Sequence, residues 1–464
     1  MKRKYLVISL LIFLGVFVLA ACTPQTETVE VTRVVTETET VTEQIEVTRI
    51  VEGEVMTEEI EVTRIVEVEV AAEPEVMEEV TLEFYHWFGA DLGNTTIKAI
   101  NAIFQAENPN ITIEFETADT GTFEQVINTR LSADDAPDLF GVFPGTKFHP
   151  QAEAGFLMDL DDAPWVDTLF DGAKFVSSYE GGVMTLPIDA NVIGVIYNKQ
   201  IFADLGLEVP LTWDEFLAVS EAIKESGVTP IALGLQSAWV TQLIPYAMAP
   251  SAIYRDNINF DAEMYAGDAT FVGSAWEQMM ADYLDLGARG YFNEDTLGTD
   301  YGLSTDLMAN GEAAMLIQGN WAVAAVREKA PDLEWGMFPL PYDAGGDVWV
   351  PSAIGGTITI SANTEHPEEA RKYLEFWARP DISELYLTEK GAFPVSVGVN
   401  PIIDEAAGEM IPYLEVGSYP FLDQNWPPGV QGAMLEGIQS VFAEELTVEE
   451  MLAEMDTAWV EGTE

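Results

Sequence analysis

From Val80 onward the chain alternates short runs of strand periodicity with segments of helical spacing, a grammar that admits few folds. Val80-Thr81-Leu82-Glu83-Phe84-Tyr85 alternates as a half-buried strand does. Thr95 to Asn108 then sets Ile97, Ile100, Ile103 and Phe104 at helical spacing, with Pro109 just past the end. Ile111 to Glu116 alternates again, and strand, helix, strand is the βαβ unit of a mostly parallel sheet. The unit recurs: a Phe123–Ala133 helix leads into an Asp138–Phe143 strand, Ile193–Tyr197 reads as a strand, and a Thr212–Ser226 helix leads into Ile231–Leu233. Thr212 and Glu215 form a capping box at the start of that helix. Helices are expected over Ser274–Leu286, Ser304–Asn310, Trp321–Lys329, Pro367–Trp377, Ile382–Leu387, Val430–Leu446 and Val448–Val460. The expected fold class is α/β.

The amino terminus reads as an address. Lys2, Arg3 and Lys4 precede an apolar run from Tyr5 to Ala21, and Leu19-Ala20-Ala21-Cys22 matches a bacterial lipobox. Residues 1–21 are therefore expected to be a signal peptide, and Cys22 the site of lipidation and the link to a membrane; two or three acyl chains suffice for stable anchoring. Cys22 is the only cysteine, so no intramolecular disulfide can form and the fold must be held by packing.

Between Thr23 and Glu79 the composition shifts to Glu, Val and Thr, and Glu-Val-Thr-Arg-Val/Ile-Val recurs at 30–35, 46–51 and 61–66. Like charges repel along such a stretch, so residues 22–79 are expected to form an extended acidic tether; the alternatives are a β-ribbon, from the alternating Val and Thr, or a coiled coil, from the spacing of the repeat. The whole chain carries a formal charge of −59, which repels phosphate backbones and excludes nucleic acid as a partner.

Several chemistries lack their residues. The histidines, His86, His149 and His366, are far apart, and no phosphate-cradling loop, G-x-S-x-G elbow or H-E-x-x-H is present, so no metal and no cofactor are expected. Asp159, Asp161 and Asp162 read as a solvated turn because the loop lacks the glycine and terminal glutamate of a calcium loop. The 79 carboxylates make chance pairs abundant, and abundance is no argument for catalysis.

In order along the chain stand Phe84-Tyr85-His86-Trp87, Ala136-Pro137-Asp138-Leu139-Phe140, Leu186-Pro187-Ile188-Asp189-Ala190-Asn191 and Ile196-Tyr197-Asn198-Lys199. Thr212 to Phe216, Gly227 to Ala232, Gly311 to Met315, Gln318-Gly319-Asn320-Trp321, Phe338 to Pro341 and Ala370 to Trp377 follow. Taken together, residues 80–464 resemble the carbohydrate-binding branch of the extracellular solute-binding proteins, family 1, which serve ABC importers and include relatives of maltose-binding protein. The resemblance implies a type II periplasmic-binding fold, with two α/β lobes joined by a hinge crossed three times. The crossings are expected near Pro187–Asn191, Pro351–Gly356 and Gly391–Val397. Lobe one is then 80–188 with 356–392, and lobe two 189–355 with 393–464. The implied protein is a monomer with no enzymatic activity, whose partners are a small carbohydrate and the ABC permease subunits.

A sugar offers hydroxyls at its edge and C–H groups on its face, so a site needs aromatic platforms and planar carboxylates or amides. The resemblance places Trp321 and Trp426 as platforms, with Trp87 and Trp239 as further candidates after strands. Trp213, Trp276, Trp377 and Trp459 lie at amphipathic helix positions and are assigned to the core. Among polar candidates Asp189 and Asn191 lie in the first hinge segment; Asn191 stands where maltose-binding relatives carry a carboxylate, a departure that disfavours maltose. Asn320, Gly355, Gly356, Asp423, His86 and Gln236 complete the set. Polyamine and glycerol-phosphate ligands are the alternatives, the latter disfavoured because Lys147 is the nearest cation, and a tethered glycosidase is the alternative outside binding proteins.

Overall fold

The computed structural model describes residues 35–51, 54–70, 78–87, 92–342 and 347–463. The signal peptide and Cys22 lie outside the described residues. The chain divides into two compact units, Met1–Glu78 and Glu79–Glu464. In the first, strands Val35–Val51 and Glu54–Val70 pair antiparallel, in register from Val35↔Val70 to Val51↔Glu54. Over residues 35–51 and 54–70 the ribbon alternative describes the chain: β-branched Val, Ile and Thr favour the extended backbone strongly enough that charge does not prevent pairing.

The second unit holds two large sheets, each with its own core, and a small two-stranded pair of Ser178–Tyr179 with Gly182–Val183. The first runs Ile111–Thr117, Val80–His86, Leu139–Gly141, Thr357–Ile360, Leu186–Pro187. Val80–His86 is parallel to both of its neighbours, as the βαβ reading requires. Ile97, Ile100 and Phe104 are fully buried against this sheet together with Tyr373, Leu374 and Trp377 of the helix Pro367–Trp377.

The second sheet runs Thr229–Ala232, Ala313–Gly319, Ala190–Asn198, Val350–Ile354, Ser418–Tyr419, with Trp335–Phe338 also paired to Ala190–Asn198. Its helices include Trp213–Glu225, opened by the expected capping box, and Ala275–Ala288, capped by Ser274. Trp276, Trp377 and Trp459 are buried in the cores as assigned, and Trp213 packs against the second-sheet core half-buried. Among the described residues no helix is long and apolar enough to cross a membrane.

The chain leaves the first sheet at Pro187 and enters the second at Ala190, then returns between Ile354 and Thr357. Phe393 pairs with Ala190, but Val395 and Val399 still pack in the first-sheet core while Ala406 and Met410 belong to the second. The chain thus first meets the second-sheet core at Phe393, within the expected Gly391–Val397 segment, returns Val395 and Val399 to the first-sheet core, and stays with the second from Ala406 onward.

Candidate functional site

The residues expected at the first hinge segment converge, but on one another. Asp189 is fully buried; its Oδ1 accepts hydrogen bonds from Asn191 Nδ2 and the Gly356 N–H, each at 2.8 Å. Its Oδ2 accepts one from Tyr386 Oη at 2.8 Å and lies 2.9 Å from Lys390 Nζ. Burial pushes the carboxyl up, yet the Lys390 charge and the bonds from Lys390, Tyr386 and Gly356 outweigh it and hold the group below its ordinary value. Gly355 is required where it stands, since a Cβ there would lie 2.0 Å from Asn191 Nδ2 and 2.4 Å from Asp189 Oδ1. Asn320 is equally occupied: Oδ1 accepts from the Val192 N–H and Nδ2 donates to the Gly391 carbonyl, each at 2.8 Å. Asn191 Oδ1 is buried with no hydrogen-bond partner among the described residues. His86 is buried and its Nε2 donates to the Thr357 carbonyl at 3.1 Å; burial holds the ring well below the ordinary imidazole value.

The aromatic candidates divide. In the first sheet Val80–His86 and Leu139–Gly141 are parallel neighbours, so Trp87 and Phe143, which follow them, emerge from the same carboxyl-terminal edge. Their rings stack at 4.4 Å between centroids, and Trp87 also stacks on His86 at 4.0 Å. In the second sheet Thr229–Ala232 and Ala313–Gly319 are likewise parallel, and Trp239 and Trp321 emerge from their shared carboxyl-terminal edge. Both indoles are half-buried, 6.4 Å apart, with Tyr301 5.0 Å from Trp239 and Phe421 6.4 Å from Trp321. Trp321 begins the helix Trp321–Lys329, and its ring occupies the space that a Cβ on Gly319 would fill, 2.0 Å away.

Trp426 is different. It is 2% exposed, enclosed by Phe271 at 5.5 Å, Trp276 at 5.7 Å and Trp459 at 6.4 Å. The structure makes it a core residue where the sequence suggested a platform; the proline-rich loop that carries it folds its indole inward against Trp276 and Trp459, on the buried faces of their helices. Asp423, on the same loop, stays partly exposed and accepts a hydrogen bond from Tyr246 Oη at 2.9 Å, its carboxyl raised by burial against the opposing Lys147 charge. Gln236 is exposed.

The two edges also touch directly, through residues the sequence reading did not single out as a site. The turn Gly145–Phe148 follows Leu139–Gly141, and Thr146 Oγ1 donates to the Trp426 carbonyl at 2.5 Å. Lys147 Nζ donates to Gln431 Oε1 at 2.6 Å, lies 3.6 Å from Glu124 and sits 4.6 Å over the Phe143 ring. Gln431 Nε2 passes the chain on to Gln242 Oε1 at 2.7 Å. The signal that points to this turn is its place after the carboxyl end of a parallel strand, where open α/β sheets gather ligands. Among the described residues no group of three or more His, Cys, Asp or Glu side chains is placed to hold a metal ion.

Comparison with known proteins sets this geometry in context. The family model described as bacterial extracellular solute-binding protein matches residues 89–384. The multiple sugar-binding protein of Streptococcus mutans is 26% identical over 75% of this chain and 83% of its own length. The melibiose/raffinose/stachyose-binding protein MelE of Bacillus subtilis is 24% identical over 65% of this chain and 70% of its own. Among solved structures, a chitin oligosaccharide binding protein is similar with a TM-score of 0.74 and 23% identity, covering 83% of this chain and 99% of that one. The raffinose complex of RafE follows with a TM-score of 0.69 and 23% identity, covering 83% and 100%. These likenesses carry the two-lobe type II fold. The chain belongs to the bacterial extracellular solute-binding proteins.

Proposed function

We propose that this protein captures a sugar or short oligosaccharide between its lobes and delivers it to the transmembrane subunits of an ABC importer. The observation that carries the reading is the pair of aromatic edges: Trp239 and Trp321 leave one sheet, Trp87 and Phe143 the other, each at its carboxyl-terminal edge. The passages through Ile188 and Gly355 connect the sheets at those same edges, since Gly319 pairs with Ile193 and Ile358 with Gly141. Half-buried indoles suit the C–H face of a pyranose, while Asp423, Gln431 and Gln242 supply acceptors and donors for hydroxyls. Named sugar-binding relatives support the same ligand class. Lobe one is taken as 80–188 with 356–399, lobe two as 189–355 with 400–464. No covalent chemistry is involved; ligand touches both lobes, shifts the population to the closed form, and the permease reads that form. The mature chain is held to the extracytoplasmic face of the cell membrane by a lipid on Cys22 and acts as a monomer.

Thermal melting of the full-length protein against mono- and oligosaccharides, polyamines and glycerol phosphates tests the assignment. A ligand at about 100 times its Kd stabilises by about 2.7 kcal/mol, a visible shift. A saccharide shift that disappears in Trp321→Ala supports the reading. A shift by a polyamine alone overturns it.

A further inference from the structure

Two of the three passages between the lobes, and the helix that precedes the third, meet at one carboxylate. Asp189 lies in the first passage, between Pro187 and Ala190. From the second it takes the Gly356 N–H at 2.8 Å, while its own carbonyl accepts the Gly355 N–H at 3.0 Å. From the helix Pro380–Lys390, which leads toward the third, it takes Tyr386 Oη at 2.8 Å and Lys390 Nζ at 2.9 Å. The backbone reinforces the same point: Ala190 and Phe393 exchange two bonds of 2.9 Å, and Ile188 N–H donates to the Gly356 carbonyl at 3.0 Å. The carboxylate is 0% exposed, so a ligand cannot touch it.

We propose that Asp189 is a hinge-positioning residue, which clamps the interlobe passages and so sets the resting balance of open and closed forms and the affinity for every ligand alike. Lobe closure turns on a few backbone torsions in the connecting segments. Two connecting segments and the helix leading to the third, all bound to one rigid group, constrain those torsions together, and the apparent affinity follows the fraction of molecules in the competent form. The carboxylate is suited to the task because it only accepts, and all four of its partners donate. An asparagine of the same shape turns an N–H₂ toward either the Asn191 and Gly356 donors or the Tyr386 and Lys390 donors, and leaves the Lys390 ammonium without its counterion. Gly355 completes the clamp, because any side chain there displaces Asn191 or Asp189.

The proposal rests on closure around ligand, and its test separates the two. Spin labels at Ser132→Cys and Glu225→Cys, exposed positions on opposite lobes, report the interlobe distance distribution in a full chain carrying Cys22→Ser. In Asp189→Asn the ligand-free distribution should broaden or shift. Affinities for a panel of saccharides should then all fall by a common factor, about tenfold or more, with their ranking preserved. Tyr386→Phe, which removes one of four donors, should give a smaller change in the same direction and keeps the test available if Asp189→Asn fails to fold. An unchanged distance distribution in a folded variant overturns the proposal, and so does a reordered ligand ranking, the mark of a direct contact. A chain that binds no saccharide defeats the functional reading, yet leaves the ligand-free distances to decide the hinge.

Discussion

Asp189 and Lys390 form an ion pair at 2.9 Å in which the carboxylate is fully buried and the ammonium side chain keeps 24% of its exposure. Removing one partner of such a pair strands the other, which typically costs about 3–5 kcal/mol. Asp189 retains three further donors, so Lys390→Met should fall at the low end, ~3 kcal/mol, read from the urea midpoint of the full-length protein. An unchanged midpoint would show that Tyr386, Asn191 and Gly356 suffice to hold the charge.

Acid should weaken the fold in two stages. The unfolded chain protonates His86 below its ordinary value of 6.5, while the buried ring, facing Lys390 and Asp189, resists the proton. More protons bind the unfolded state, so stability declines as pH falls below 6.5 until the native ring's low pKa is reached. Asp189 adds a second stage: its native value lies below 3.8, so its contribution is present above 3.8 and is lost as pH falls through the native value. His86→Gln should reduce the first stage, leaving the part that His149, also held down by burial, contributes, and leave the second stage unchanged. Parallel pH profiles for the two proteins would refute the assignment to His86.

Much of this could be read from the chain, and what could not has physical causes. The first lobe was legible because Thr81 and Glu83 of Val80–His86, and Thr112, Glu114 and Glu116 of Ile111–Thr117, are exposed between buried or half-buried neighbours and so set an alternating pattern. Ala313–Gly319 was missed as a strand because it is buried on both faces and so has no polar period, and its opening Ala-Ala-Met lacks the β-branched residues that made the equally buried Ile193–Tyr197 legible. The hinge candidates were found, but their role was not: composition marks Asp189 as polar, and only the fold reveals four donors around it. Trp426 went wrong for the converse reason, since a tryptophan in a loop looks exposed until the loop's path is known. Lys147 was noticed as a cation and not as a contact, because its partner Gln431 is remote in sequence.

Substituting the two tryptophans tests whether Trp321 belongs to the site and Trp426 to the core. Trp426→Ala should cost about 3–5 kcal/mol of stability, the usual range for emptying a buried aromatic, with ligand ranking unchanged. Trp321→Ala should lower saccharide affinity by roughly tenfold to a hundredfold, as the loss of about 1.5–3 kcal/mol of apolar contact implies, and move the melting temperature little. Denaturation and titration calorimetry on both variants decide the matter. A Trp321→Ala protein that binds normally removes that indole from the site.

Gly145 offers a way to hold the lobes apart without touching either core. Its backbone has φ +76, and a Cβ would lie 2.2 Å from the Gln424 carbonyl oxygen, which belongs to the other lobe. Within its own lobe, Gly145→Ala carries only the strain of a left-handed alanine, about 1 kcal/mol. Between lobes the clash is with backbone; if this contact, with the Thr146 bond to the Trp426 carbonyl and the Lys147 bond to Gln431, belongs to the closed form, opening relieves it. The closed form is thereby disfavoured more than the fold is. Saccharide affinity should drop by well over the roughly tenfold that 1.4 kcal/mol represents, while the ligand-free melt shifts only slightly. Small-angle scattering with saturating ligand should show a larger radius of gyration than the parent protein. If affinity falls no further than stability does, the contact between Gly145 and Gln424 is not part of closure.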